Sequence, residues 1–280
     1  MSLVLAAVAV WLAGWAINVA LARRPLAGPA RLLPPLVFGV TLVAVWELVV
    51  RGLAVSPVLL PAPSAIWARL TTSGATLRTD VMQTFVKGAL TGYVMGCGAA
   101  FLTGVAIDRA PFLRRGLLPV GNFASALPIV GMAPIMVMWF GFDWQSKAAV
   151  VVLMVFFPML VNTVQGLAAT DPMQADLMRT YAASSGQSLR KLRLPAAAPF
   201  LFNGLKICTT LALIGAIVAE FFGSPTSGMG FRISTEVGRL ALDMVWAEIA
   251  VAAVLGSAFY GLVALAERAV TFWHPSQRGR

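Results

Sequence analysis

The residues best placed for polar chemistry lie between apolar runs, in the stretch Asp171–Pro195, DPMQADLMRTYAASSGQSLRKLRLP. It carries Asp171, Asp176, Arg179, Arg190, Lys191 and Arg193. The chain has no G-x-x-x-x-G-K-[ST] phosphate loop, no H-E-x-x-H, no G-x-S-x-G and no cysteine–histidine cluster. Catalysis therefore has no assembled set of groups, and the polar stretch reads either as a docking surface for a soluble partner or as a solvated loop. A second set of polar groups stands inside apolar runs: Asn122, Ser125, Asn162, Asn203, Lys206, Thr209 and Thr210. Intramembrane polar groups face a bundle interior or a wet path. Lys206 fits either that role or a side chain reaching back to the membrane interface.

Local signals indicate how these groups are held. Asp171-Pro172 is an N-cap followed by proline in the first turn. Met173, Leu177, Met178 and Tyr181 then recur at helical spacing, which predicts a short amphipathic helix. Ser184-Ser185-Gly186 is expected to break it. A second short helix through Leu189, Leu192 and Leu194 is expected to end at Pro195.

Around this stretch the chain is lipid-like. Of its 280 residues 59% are hydrophobic and 11% charged, against about 25% charged in soluble domains. An all-α polytopic membrane protein follows. Spans are expected at about Ser2–Ala22, Leu32–Val50, Val81–Ile107, Leu117–Phe140, Ser146–Leu167, Phe200–Phe222 and Val245–Val270. The first is uncharged and followed by Arg23-Arg24, the reverse of a signal peptide, so a retained helix is expected. Gly88, Gly92, Gly96, Ala100 and Gly104 recur every fourth residue in the third span and predict close helix packing. The fourth span, broken by Pro119, Pro128 and Pro134, is the first choice for a substrate path, because irregular backbone in a bilayer must line a cavity or be buried. Its path candidates are Asn122, Ser125, Met132 and Met136, joined by Asn162, Thr209 and Thr210 from the next two spans.

The net charge of +10 comes without any nucleic-acid motif, so no nucleic-acid partner is expected, and membrane topology explains the charge. With Asp171–Pro195 inside, most basic residues fall in inside segments. The N-terminus is then outside and the C-terminus inside. Lys147 is counted in an outer turn, Gly141–Lys147. Arg190, Lys191 and Arg193 are assigned to a partner or to anionic headgroups. Cys97 and Cys208 lie in apolar spans and imply neither a disulfide framework nor a metal site.

The polar stretch also resembles the EAA loop of ABC-importer permeases, E-A-A, three residues, G, nine residues, I-x-L-P. Asp176 stands for the Glu, Leu177 and Met178 for the alanines, and Ala182 for the Gly, while Leu192, Leu194 and Pro195 close the pattern. PAAAPFLFNGLKI, ALIGAIVAEFFG and ALPIVGMAPIMVMWFGF are similar to the nitrate/sulfonate/taurine group of these permeases. The resemblance runs from Leu32 to Pro275.

It implies a type I ABC-importer permease-like fold, a six-helix core plus one additional N-terminal transmembrane helix. The implied organisation is 1–31 for that helix and its basic linker, 32–275 for the permease domain with coupling loop 171–195, and 276–280 for a cytoplasmic tail. It further implies a bacterial inner-membrane location. The implied partners are an ATP-binding cassette ATPase subunit, a periplasmic substrate-binding protein, a second copy of the chain and membrane lipid. No cofactor would bind this chain, and ATP and Mg would sit on the ATPase.

The implied coupling residues are Asp176, Leu177, Met178, Tyr181, Ala182, Gly186, Leu192, Leu194 and Pro195, with Asp176 capping the helix or pairing with a nearby base. KLRLPAAAPFLFNGLKI, AIVAEFFGSPTSGMGF and FWHPS look most like permeases for thiamine-pyrimidine precursors. Permeases for taurine, alkanesulfonate, nitrate or riboflavin are the alternatives. An anion path needs a fixed cation, and only Lys87 and Lys206 are counted in the spans, which favours a neutral or weakly charged heterocycle. An ion-coupled secondary transporter or channel is the competing class. Glu47, Glu220 and Glu248 near the span ends speak against a proton relay, and a membrane-embedded enzyme lacks its catalytic groups.

Overall fold

The computed structural model describes residues 2–25, 28–109, 128–223 and 226–273. Among them every regular element is helical. The long helices are α1 (Ser2–Ala22), α2 (Leu33–Gly52), α4 (Gly74–Arg109), α6 (Trp144–Ala168), α8 (Ser185–Phe221) and α10 (Leu242–Val270). These six described helices are long and apolar enough to cross a membrane. Shorter helices are α3 (Pro63–Thr72), α5 (Ile129–Phe140), α7 (Pro172–Thr180) and α9 (Met229–Gly238).

Six of the seven expected spans are present among the described residues, with shifted ends. α4 starts seven residues earlier than the apolar run, since GATLRTDV (Gly74–Val81) is helical although polar. Hydropathy marks the part of a helix that can enter lipid, not its hydrogen-bonded length. Residues 117–127 of the expected fourth span lie outside the described residues, and α5 is its described remainder. α9 starts within Gly228-Met229-Gly230, at Met229.

Two corrections concern the polar stretch. The first helix stops at Tyr181–Ala183, and Ser184 starts the next helix instead of breaking the first. Ser184 Oγ accepts from Gln187 N at 3.3 Å and Gln187 Oε1 accepts from Ser184 N at 2.8 Å, a reciprocal capping box. Pro195 does not end the second helix, which runs on to Phe221. A π-helical turn over Leu189–Arg193 sits directly before Leu194-Pro195. The widened turn rearranges the carbonyls facing a residue that has no N–H, so the helix continues.

The chain packs as two units. One comprises Met1–Leu77 and Ile233–Ala250. There α1 and α2 form an antiparallel pair, Glu47 accepts from Ser64 N (2.9 Å) and Ser64 Oγ (2.8 Å) at the start of α3, and Arg69 pairs with Asp243 at 2.9 Å. Trp46 and Trp246 meet edge to face at 5.0 Å.

The other unit comprises Arg78–Arg232 and Val251–Arg280, with α6 at its centre against α4, α5 and α8. Its core is made of small and flat residues, including Ala89, Tyr93, Cys97, Ala100, Val151, Val155, Cys208, Ala212 and Phe259. The glycine stripe lies along the α4–α6 contact as expected. A Cβ on Gly92 would fall 2.6 Å from Val151 Cβ and 2.7 Å from the Ala148 carbonyl. Lipid tails give no hydrophobic drive between helices, so such backbone approach supplies the cohesion.

Candidate functional site

The polar stretch forms a rigidly attached surface helix. Asp171 caps α7, its carboxylate accepting from Met173 N at 3.0 Å, and Pro172 sits in the first turn. Met173, Leu177 and Tyr181 follow at steps of four and point outward, 78%, 56% and 78% exposed. Ala175 and Met178 point the other way, into a cavity of about 310 Å³ shared with Leu167, Ala183, Ser188 and Arg193. Met178 therefore faces this chain, whereas Leu177 and Tyr181 face out. Asp176 does not cap the helix. It pairs with Arg179 at 3.1 Å, with both groups well exposed, a contact worth less than about 1 kcal/mol.

α7 ends in a Schellman turn: Ala182 N donates to Arg179 O and Ala183 N to Met178 O, both at 2.9 Å. Ala182 has φ +52°, the left-handed conformation that favours glycine. The EAA pattern carries Gly at this position, so the substitution noted in the sequence falls where a side chain is strained. Gly186 is exposed in the first turn of α8.

The anchor of the loop is Arg193. Its guanidinium donates to both Asp108 oxygens at the end of α4, and to the Leu167 carbonyl at the end of α6 at 3.1 Å. Arg193 is thus an internal clamp, not a partner or headgroup ligand; Arg190 and Lys191 stay exposed. The Asp108 side chain is 15% exposed, so its charge is substantially desolvated and depends on this partner. Leu192, Leu194 and Pro195 are half-buried beside it.

The expected path residues separate. Asn122 and Ser125 lie outside the described residues. Met132 is half-buried, and Met136 packs in a small core with Ala133, Val150 and Ala219. Thr209 is fully buried and donates to Lys206 O at 2.7 Å. Within the chain, then, Met136 and Thr209 face packed side chains, not an open wall. Asn162 donates to Pro158 O at 2.8 Å and accepts from Asn203 at 3.1 Å. Asn203, Ile207, Thr210 and Ile214 form the exposed stripe of α8.

Two cations are repositioned. The Lys206 ammonium pairs with Glu267 at 2.7 Å and is not a lone cation. Lys147, counted in an outer turn, is buried in the first turn of α6 and donates to Phe142 O and Ser146 Oγ. Asp143 caps α6. Its carboxyl is held below the usual carboxylate range by the Gln83 amide and then by Trp144 N, with Lys87 and Lys147 adding attraction.

A buried network not visible in the sequence organises the start of α9. Gly228 N donates to Asp80 (2.7 Å), Met229 N to Thr84 Oγ1 (2.7 Å) and Gly230 N to Glu220 (2.7 Å). Arg232 Nε closes it on Asp80 at 2.9 Å. Helix N-termini leave such N–H groups open, and carboxylates answer them. These partners lie up to 148 residues apart, so no local motif announces them.

Residues 92–272 match the family of binding-protein-dependent transport system inner membrane components, and the chain belongs to that family of ABC-importer permeases. It is 29% identical to a formylaminopyrimidine transport permease of Halalkalibacterium halodurans over 88% of this chain and 97% of that one. It is 30% identical to a putative aliphatic sulfonates transport permease of Bacillus subtilis over 85% and 86%. Permeases named for riboflavin in Chloroflexus aurantiacus and taurine in Escherichia coli stand at 29%. Among solved structures, an inward-facing MetNI methionine ABC transporter chain aligns with TM-score 0.56 and 20% identity, over 71% of this chain and 95% of that chain. The fold is thus that of an ABC-importer permease and the protein is a multi-pass membrane protein. Family membership makes it a transport subunit, not an enzyme.

Proposed function

We propose that the chain forms the translocation path of an ATP-driven importer for a pyrimidine-type heterocycle, such as a thiamine precursor, handed over by a periplasmic binding protein. The observation that carries the coupling half is the outward stripe Met173–Leu177–Tyr181 on a helix clamped through Arg193 to α4 and α6. A groove on an ATPase subunit receives that stripe, and ATP and Mg act on that subunit. Closure of two ATPases moves two copies of this chain, with α7 inside, the N-terminus in the periplasm and the C-terminus in the cytoplasm. Asn203 and Thr210, on the exposed face of α8, take the path role together with Asn162.

The substrate class is supported by the formylaminopyrimidine relative and by the neutralisation of Lys206 by Glu267, which removes one of the cations an anion path would use. Sulfonate, taurine and riboflavin remain the competing substrates because those relatives are equally similar. The test is ATP-dependent uptake into vesicles holding the complete transporter, with each substrate class presented on its binding protein. Uptake of a pyrimidine with no uptake of taurine or alkanesulfonate supports the proposal; the reverse pattern overturns the substrate class while leaving the permease intact.

A further inference from the structure

The α1–α2 pair carries a groove that the transport reading does not use. Gly14 and Thr41 form its floor: a Cβ on Gly14 would lie 2.9 Å from Thr41 Cβ, so the helices touch along this line. Trp11, Trp15 and Phe38 stand as exposed walls. The groove measures about 630 Å³, within the roughly 300–1,000 Å³ of small-molecule sites.

It runs along α2 from Pro34 to Val45, about 17 Å at 1.5 Å per residue. Half the hydrocarbon thickness of a bilayer is about 15 Å. The groove therefore has the depth of a single leaflet. Asn18 and Pro34 line its end toward the α1–α2 connection, and Arg23, Arg24 and Arg31 in that connection are exposed, five or six residues after Asn18 and three before Pro34. No acidic residue occurs in the chain before Glu47, which lies toward the opposite end of α2. A cationic segment at one end of an apolar slot as long as a leaflet is thick suits an anion with a long apolar tail.

We infer that the α1–α2 groove is a binding site for an anionic glycerophospholipid, with one acyl chain between Trp11, Trp15 and Phe38 and the phosphate beside Arg23, Arg24 and Arg31. Arginines at a membrane surface each strengthen such binding on the order of five-fold, so the three together give a preference of up to about 100-fold over a zwitterionic lipid.

The test reconstitutes the full chain in vesicles doped with phosphatidylglycerol or phosphatidylcholine carrying brominated acyl chains, which quench nearby tryptophan. The chain has eight tryptophans, so the signal is the difference between wild type and the Trp11→Phe/Trp15→Phe variant. Quenching of that difference signal at a phosphatidylglycerol fraction at least about ten-fold below the phosphatidylcholine fraction, with the preference lost in Arg23→Gln/Arg24→Gln/Arg31→Gln, is the expected result. Equal quenching by both lipids, untouched by the arginine changes, means ordinary bulk lipid and overturns the inference. Protection of Trp11 and Trp15 from both lipids means that protein, such as a second copy, fills the groove, and also overturns it. Continued burial of Cys97 and Cys208 against a thiol dye verifies that each variant is folded.

Discussion

Replacing Arg193 by alanine removes two charge-assisted hydrogen bonds to Asp108 and one to the Leu167 carbonyl. It leaves the Asp108 carboxylate, 15% exposed, without its counter-ion. Hydrogen bonds to charged groups contribute about 1.5–3 kcal/mol each in favourable settings, and breaking a fully buried pair costs about 3–5 kcal/mol. Arg193 itself keeps 31% of its side chain in solvent, which screens the pair, so about 2–3 kcal/mol is expected. For a chain of this size that lowers the unfolding midpoint by roughly 3–5 °C. The assay is built into the protein: Cys97 and Cys208 are buried in the core, so a thiol-reactive fluorophore reports unfolding on heating. A double-mutant cycle with Asp108→Ala isolates the pair and should return most of that energy as coupling. Arg190→Ala and Lys191→Ala, both at exposed positions, should leave the midpoint within about 1 °C. If Arg193→Ala unfolds at the wild-type temperature, or if the cycle is additive, the clamp does not exist in the membrane and the attachment of the loop must be sought elsewhere.

Three further outcomes follow from the same geometry. Ala182→Gly should relieve the left-handed strain at the end of α7 and stabilise the loop by about 1 kcal/mol, seen as slower proteolytic nicking at Tyr181–Ser184; Ala182→Val should speed it. Gly92→Ala should push α6 from α4 and cost about 1–3 kcal/mol, whereas Gly98→Ala, with nothing within 4 Å of its added Cβ, should be neutral or slightly stabilising in the same thermal assay. Asp143 has a carboxyl held below its ordinary value, so its contribution to stability is present above the unfolded pKa of about 3.9 and is lost as pH falls through the lower folded value. Asp143→Asn should therefore flatten part of the loss of midpoint below about pH 4 and change little of the pH dependence above pH 6.

The apolar runs made the helices legible because lipid tolerates only backbone that bonds to itself. The glycine stripe was legible for a related reason, since small residues at every fourth position have one use in a membrane helix. Helix ends were less so. The polar start of α4 and the continuation of α8 through Pro195 depend on hydrogen bonding, which hydropathy does not report. The loop was recognisable from Asp171-Pro172 and its apolar spacing, but the division between outward Leu177 and Tyr181 and inward Met178 required the helix to be seen on its support. Arg193 was misassigned because its partner, Asp108, lies 85 residues away. Lys206 and the Asp80–Thr84–Glu220 set were hidden in the same way, their roles being fixed by neighbours that chain order does not place beside them, whereas Lys147 was missed because α6 starts at Trp144 and buries its first turn.

If the exposed stripe on α7 seats an ATPase, charging the stripe must release it. The direct measurement is copurification from native membranes in mild detergent, with ATP hydrolysis assayed on the product, for wild type and for Leu177→Arg/Tyr181→Arg. A stoichiometric ATPase is expected with the wild-type chain and is expected to be lost from the variant, whose core, judged by Cys97 and Cys208, stays intact. An ATPase that remains bound to the variant in full amount, or a wild-type chain that purifies alone and transports without ATP, would contradict that seating.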